Sequence, residues 1–275
     1  MDRRPRRESP GAHRARKRFG QHFLTDPRIL ARIANALAAR DGDTVLEVGP
    51  GRGALTEELL ARVGPAGHVV AVEVDRDLSA ALRLRYAMRP ELTLVEGDFL
   101  QADLTAHVRA PFLLAGNIPY NITTPILFKA LDPPRAARMV MLVQREVAER
   151  IAARAGTRAY GALSANVQAV ATVEVLFRVA AGAFSPPPKV ESAVIRITPR
   201  PDPVVTPAEE PAFRDFVQAL FSFRRKQLVR ALREALDLAP AASADLVARA
   251  GLDPTARPEV LSPADFATLL RARSA

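Results

Sequence analysis

Asn117-Ile118-Pro119-Tyr120 sets a side-chain amide, a rigid turn and an aromatic ring within four residues, just after the apolar run 111–115. An amide oxygen and a neighbouring backbone carbonyl can accept both protons of an exocyclic base amine, and a phenol ring offers a face on which a purine stacks. The chemistry that suits this set is the holding of an adenine N6 amine at a strand end. A proline turn with a surface tyrosine uses the same residue types, so the tetrapeptide needs partners elsewhere in the chain.

Residues 47–53 (EVGPGRG) supply one. Glycine permits tight turning and close approach of backbone to ligand, and this loop follows a strand pattern and opens a helix. Its spacing is GxGxG rather than the GxGxxG of dinucleotide-binding loops. With no pyrophosphate to cradle, the acidic Glu47 is tolerable beside it, which favours a cationic or neutral nucleoside cofactor over NAD. Glu73 lies about 20 residues beyond the loop, where a carboxylate takes both ribose hydroxyls in nucleotide-binding sheets. Asp98, in Gly97-Asp98-Phe99, ends the next strand and can accept from an adenine amine while Phe99 packs nearby. Singly, Glu73 and Asp98 are ordinary strand-end carboxylates. In register at successive strand ends, beside the crevice where open α/β sheets bind ligands, they read as one site.

These residues must be positioned by a layered fold. β-branched runs at 44–48, 68–74, 92–96, 111–115 and 137–143 alternate with helical patterns, including helices from about Ala54 and Asp77. Such alternation predicts a parallel sheet covered by helices on both faces. Two further strands, 172–179 and 190–197, flank the proline-rich 186–188 and read as an antiparallel pair closing the sheet edge. Upstream, Asp26-Pro27 is an N-cap followed by proline at the first helical position, with Ile29, Ile33 and Leu37 at helical spacing. Five prolines between 198 and 212 mark a linker, giving a basic arm over 1–18, a sheet domain over 19–200 and a helical domain over 201–275. In the last of these, Phe213, Phe216, Val217, Leu220 and Phe221 share a helical face, Gly251 fits a helix stop, and 262–265 (SPAD) resembles a capped start.

A chain of 275 residues, 48% hydrophobic, is long enough for one α/β domain with a small appendage. Its net charge of +9 is concentrated at one end, since residues 1–18 carry eight Lys and Arg against Asp2 and Glu8. Such a basic arm suits a polyanion, nucleic acid above all. The absence of cysteine excludes disulfides and thiolate metal sites, and four scattered histidines argue against a histidine-rich one. No apolar stretch approaches the roughly 20 residues of a membrane span, and the N-terminus lacks the apolar core of a secretory signal, so the expectation is a cytoplasmic protein.

Seven blocks together resemble the ribosomal RNA adenine N6-dimethyltransferases: 16–24 (RKRFGQHFL), the glycine loop, 117–125 (NIPYNITTP), 144–150 (QREVAER), 160–164 (YGALS), 184–192 (FSPPPKVES) and 221–226 (FSFRRK). The resemblance runs through nearly the whole chain. The blocks at 160–164 and 184–192 look like the branch that modifies two adjacent adenosines in a hairpin loop near the 3′ end of 16S rRNA. The large-subunit branch that confers antibiotic resistance shares the cofactor site and the tetrapeptide.

This resemblance implies a Rossmann-like class I methyltransferase sheet with a small C-terminal helical domain, and S-adenosylmethionine as cofactor, leaving as S-adenosylhomocysteine. It carries cofactor contacts onto His22, Leu24, Gly49, Gly51, Glu73, Asp98 and Asn117. His22 departs from the asparagine of many relatives, so there the backbone contact carries over better than the side-chain one, and Glu191 stands where aspartate is common. The target base would lie between Tyr120 and Phe184, its amine held by Asn117 and a carbonyl near Ile118, with Pro119 shaping the turn. Phosphates would meet Arg16, Lys17 and Arg18, and Arg224, Arg225 and Lys226 with Arg230 and Arg233 further along the same helix. The implied partner is 16S rRNA in the 30S subunit or its precursor, bound by a monomer, with no metal and no membrane. Two competing readings are a nucleotide-dependent dehydrogenase, which leaves 117–120 unexplained, and a non-catalytic ribosome-assembly factor, which has no need of an intact cofactor site.

Overall fold

A computed structural model describes residues 21–274. Its frame is a seven-stranded sheet in the order β4-β3-β2-β5-β6-β9-β7, built from β2 (Thr44–Val48), β3 (His68–Glu73), β4 (Leu92–Glu96), β5 (Leu113–Asn117), β6 (Arg138–Gln144), β7 (Ala171–Val179) and β9 (Ser192–Pro199). Strands β2 to β6 run parallel, and β9 lies antiparallel between β6 and β7, so the expected edge pair is present. The chain leaves β2 outward to β3 and β4, then returns to the other side of β2 for β5. That reversal opens a crevice at the carboxyl ends of β2 and β5, where such sheets take ligands.

Alternation along the strands divides the interior. In β6, Met139, Met141 and Val143 face one core cluster while Val140 and Leu142 face the other. A period of two in side-chain direction forces this division, and both faces are covered. Helices α1 (Pro27–Leu37), α2 (Ala54–Val63) and α3 (Arg76–Arg85) contribute Ile33, Leu59 and Leu82 to the second cluster. Asp26 caps α1 by accepting from the backbone N–H of Arg28 at 2.9 Å, as its place before a proline predicts.

Strand β5 differs from its expected bounds in a way that matters. It starts two residues later than the apolar run and continues through Gly116 to Asn117, pairing with Met141 and Leu142 of β6. Glycine and asparagine are weak strand formers, so local propensity ends the strand early, whereas the ladder with β6 carries it on. Gly116 is required there, since a Cβ would stand 2.7 Å from the Val48 carbonyl oxygen.

The segment expected to be a linker is packed. β9 runs through Thr198 to Pro199, Val204 donates its N–H to the Ala169 carbonyl at 2.7 Å, and Val205 is buried. Helix α7 (Glu210–Phe221) places Phe213, Phe216, Val217 and Leu220 in the same core cluster as Leu46, Met139 and Ile195 of the sheet. The other C-terminal helices, α8 (Leu228–Leu236), α9 (Pro240–Arg249) and α10 (Pro263–Ser274), extend that core, with Leu232, Val247 and Phe266 in it. An ion pair between half-buried Arg135 and buried Glu210 reinforces the junction, Arg135 donating to Glu210, which also lies 3.5 Å from Arg214.

Sequence reading passed over a two-stranded sheet. β1 (Phe23–Leu24) pairs antiparallel with β8 (Phe184–Ser185), and the Thr25 N–H extends the tie to the Ala183 carbonyl at 2.9 Å. Two-residue strands carry no periodicity to detect, and here the pairing links distant parts of the chain across the mouth of the crevice.

Candidate active site

The crevice encloses about 300 Å³ and is bounded by β1, the loop after β2, the ends of β3 and β4, and the turn after β5. Gly49, Gly51 and Gly53 in the loop have φ of 67°, 59° and 80°, values that favour glycine. The Gly49 N–H donates to the Val72 carbonyl at 3.0 Å, which pins the loop to β3. A Cβ built on Gly49 or Gly97, both of which line the crevice, meets nothing within 4 Å. The room these glycines leave is room for a ligand.

Glu73 organises this region. One carboxyl oxygen accepts from the Gly51 N–H at 2.9 Å and the other from the Asp75 N–H at 2.9 Å, so it spans the glycine loop and the turn after β3. Burial pushes its pKa up, an effect that the two backbone donors offset only in part. Glu47 lies deeper, fully enclosed, with the Thr56 hydroxyl donating to it at 2.7 Å, and burial raises its pKa to about 8. Asp98 is exposed at the crevice rim, accepting from the Leu100 N–H at 2.9 Å, with the buried Phe99 beside it. A nucleoside bearing hydroxyls, an amine and a positive centre fits this acceptor-rich wall.

Opposite stands the tetrapeptide. The Asn117 amide nitrogen donates to the His22 carbonyl at 2.8 Å, which turns its oxygen into the role of free acceptor. The Ile118 N–H donates to the Leu142 carbonyl at 3.0 Å and its side chain is buried, so the turn is anchored to β6 on its inner side. After Pro119, a short 3-10 turn at Tyr120–Ile122 leads into α4 (Thr123–Leu131). The Tyr120 hydroxyl bonds the Ser192 hydroxyl, its ring stacks with that of His22 at 5.7 Å, and burial raises its pKa.

His22, Leu24, Gly49, Gly51, Glu73, Asp98, Asn117, Ile118, Pro119 and Tyr120 all line this one crevice. Phe184 does not. Only 4% exposed, it packs in the second core cluster beside Leu24. Pairing of β8 with β1 directs its ring inward, so the structure corrects its expected place opposite Tyr120. The basic 224–226 segment occupies the turn between α7 and α8, not the helix that bears Arg230 and Arg233. Arg224 is engaged by Glu259 at 3.0 Å, while Arg225 and Lys226 are exposed. Arg16, Lys17 and Arg18 lie outside the described residues.

Three contributors were missed by sequence reading. Ser192 bonds Tyr120, Thr56 holds Glu47, and Gln21 reaches Asp75 at 3.1 Å. Serine, threonine and glutamine are too common for any local signal to single these out. Among the described residues, no group of three or more His, Cys, Asp or Glu could hold a metal, and no helix is long and apolar enough to cross a membrane.

The chain is similar to known proteins over most of its length. A ribosomal RNA small subunit methyltransferase A from Synechococcus sp. (strain JA-3-3Ab) is 49% identical over 264 residues, covering 92% of this chain and 91% of its own. The protein of the same name from Acinetobacter baylyi is 42% identical, covering 94% and 92% respectively. Among solved structures, a dimethyladenosine transferase from Plasmodium falciparum aligns with a TM-score of 0.75 at 25% identity, over 90% of this chain and 96% of that one. The 23S rRNA methyltransferase ErmE aligns at 0.70 and 27%, over 92% and 100%. The fold is therefore the Rossmann-like fold of S-adenosylmethionine-dependent methyltransferases. Residues 12–272 match the family described as ribosomal RNA adenine dimethylase, and the chain belongs to that family of enzymes.

Proposed function

We propose that this enzyme dimethylates N6 of two adjacent adenosines in a hairpin loop near the 3′ end of 16S rRNA, acting as a monomer on the small subunit or its precursor in the cytoplasm. Bound in the crevice, S-adenosylmethionine supplies an activated methyl group. Glu73 receives the ribose hydroxyls, Asp98 the adenine amine, and the glycine loop admits the rest at close range.

The observation that carries the reading is the orientation of Asn117. Its nitrogen is committed to the His22 carbonyl, so its oxygen accepts one N6 proton of the target base while a carbonyl near Ile118 accepts the other. Adenine N6 is a poor nucleophile because its lone pair is delocalised into the ring. Holding both protons directs that lone pair toward the crevice, and supports charge as it develops on nitrogen. No general base is required before attack, since the alkylated amine is acidic and loses its proton to solvent. Tyr120 covers the base, which must leave its stack, and a loop adenosine costs less to extract than a paired one. Phe184 acts from the core, by holding β1 against β8. Arg225 and Lys226, with the arm over 1–18, meet phosphates.

The 42% and 49% identities to small-subunit enzymes, against 27% to the large-subunit one, support the choice of 16S rRNA. The test is transfer of labelled methyl groups to naked 16S rRNA, 30S particles and 50S particles. Labelled dimethyladenosine in 30S particles or their precursors is expected. Label confined to 50S particles would point to the 23S reading, and saturable 30S binding without label to the assembly-factor reading.

A further inference from the structure

We propose that the imidazole of His22 is a positioning residue for methyl transfer, fixing Tyr120 and the proline-rich segment after β8 against the N-terminal strand. This rests on the function proposed above. Three contacts meet at His22. Its carbonyl accepts the Asn117 amide at 2.8 Å, its Nδ1 lies 2.9 Å from the Pro186 carbonyl oxygen, and its ring stacks on Tyr120 at 5.7 Å with an interplanar angle of 27°. The Pro186 carbonyl can only accept, so Nδ1 carries the proton and donates.

The consequence follows from dimensions. A purine inserted between two rings needs about 7 Å between them, two ordinary van der Waals spacings. His22 and Tyr120, with centroids 5.7 Å apart, leave no such slot. The target base must therefore use the other face of Tyr120, and His22 is the backing of the face it leaves. Tyr120 is then held twice, by His22 on its ring and by Ser192 on its hydroxyl. The Nδ1–Pro186 bond in turn keeps the imidazole from swinging aside, because it ties the ring to a segment 164 residues away. One side chain thus fixes the wall of the base pocket while its own backbone fixes the amide that orients the base.

The experiment compares His22→Ala, His22→Asn and His22→Phe in the full chain, with 30S particles as substrate. All three keep the carbonyl that anchors Asn117. Asparagine keeps an N–H for Pro186 without the ring, and phenylalanine keeps the ring without the N–H. For His22→Ala, kcat is expected to fall between about 10-fold and 100-fold, as misplacement of a reacting group does. Its ratio of monomethyl to dimethyl adenosine should rise, and its cofactor Kd should stay within about twofold of the parent's, which also certifies the fold. The Asn and Phe variants should each recover part of kcat. An unchanged kcat in His22→Ala would overturn the proposal, as would an activity loss confined to sub-saturating cofactor, since His22 would then serve the cofactor. If the parent itself puts no methyl group on adenosine N6, the functional reading fails and takes this one with it.

Discussion

Asn117 and His22, 95 residues apart in sequence, meet through a 2.8 Å hydrogen bond from the side-chain amide of one to the backbone carbonyl of the other. The bond crosses from the end of a central strand to the segment that closes the crevice. It also decides which end of the amide faces the ligand, because a carbonyl can pair only with the nitrogen.

Asn117→Ala is therefore expected to lower turnover by about 100-fold or more, the scale of losing a preorganised group at a reacting centre. Cofactor Kd should change by less than about threefold, since most of the partners proposed for the cofactor lie elsewhere. Asn117→Asp keeps an acceptor but cannot donate to His22, so it should also be impaired. Single-turnover methyl transfer beside calorimetric cofactor titration checks this, and near-normal turnover in the alanine variant would remove Asn117 from the role.

Glu73 holds the glycine loop and the next turn through two backbone N–H groups. Glu73→Ala loses those bonds together with the ribose hydrogen bonds proposed for it. Hydrogen bonds to a charged group contribute about 1.5–3 kcal/mol each, so cofactor Kd should rise by about 10-fold to 100-fold or more. A Kd equal to the parent's would exclude Glu73 from the cofactor site.

Glu47 gives a pH signature. Its folded-state pKa is raised from 4.5 to about 8 by burial, so the native protein binds a proton that the unfolded chain has lost between those values. This contribution to stability is fully present below about pH 4.5 and is lost as pH rises through 8. Glu47→Gln cannot titrate, so its melting temperature relative to the parent should climb between pH 5 and about pH 9. A difference that stays flat across that range would place the carboxyl in a less enclosed setting.

Glu210, with a side chain 6% exposed, faces Arg135 at 15%. Removing Glu210 strands the half-buried Arg135 guanidinium, so Glu210→Ala should cost somewhat less than the about 3–5 kcal/mol of a fully buried pair in denaturant unfolding. Adding Arg135→Leu should recover part of that loss, because the stranded charge is gone. A simple sum of the two single losses would argue against coupling across this junction.

Arg225 and Lys226 project from the turn between α7 and α8. Replacing both by alanine should weaken RNA binding and reduce the salt slope by about 0.7–0.9 for each phosphate that is no longer neutralised. Deleting residues 1–15 should likewise flatten the slope with little effect on cofactor affinity. Unchanged slopes would show that neither segment neutralises phosphate.

Much of the sheet was legible because its signals are local. The β-branched runs of β2, β3, β4 and β6, the loop glycines and the carboxylates Glu73 and Asp98 stand close to where reading along the chain put them. The tetrapeptide, with the blocks around it, identified the chemistry and the family. Only the tertiary structure carried β5 on to Asn117, turned Phe184 into the core, seated the 198–212 segment against α6 (Ala162–Val170), and chose the Asn117 oxygen as the free acceptor. Propensity and periodicity act over a few residues, where side-chain sterics and backbone pairing are set. The direction of an amide or a ring depends instead on acceptors and walls brought in from 95 or 164 positions away, and these exist only once the chain has closed on itself.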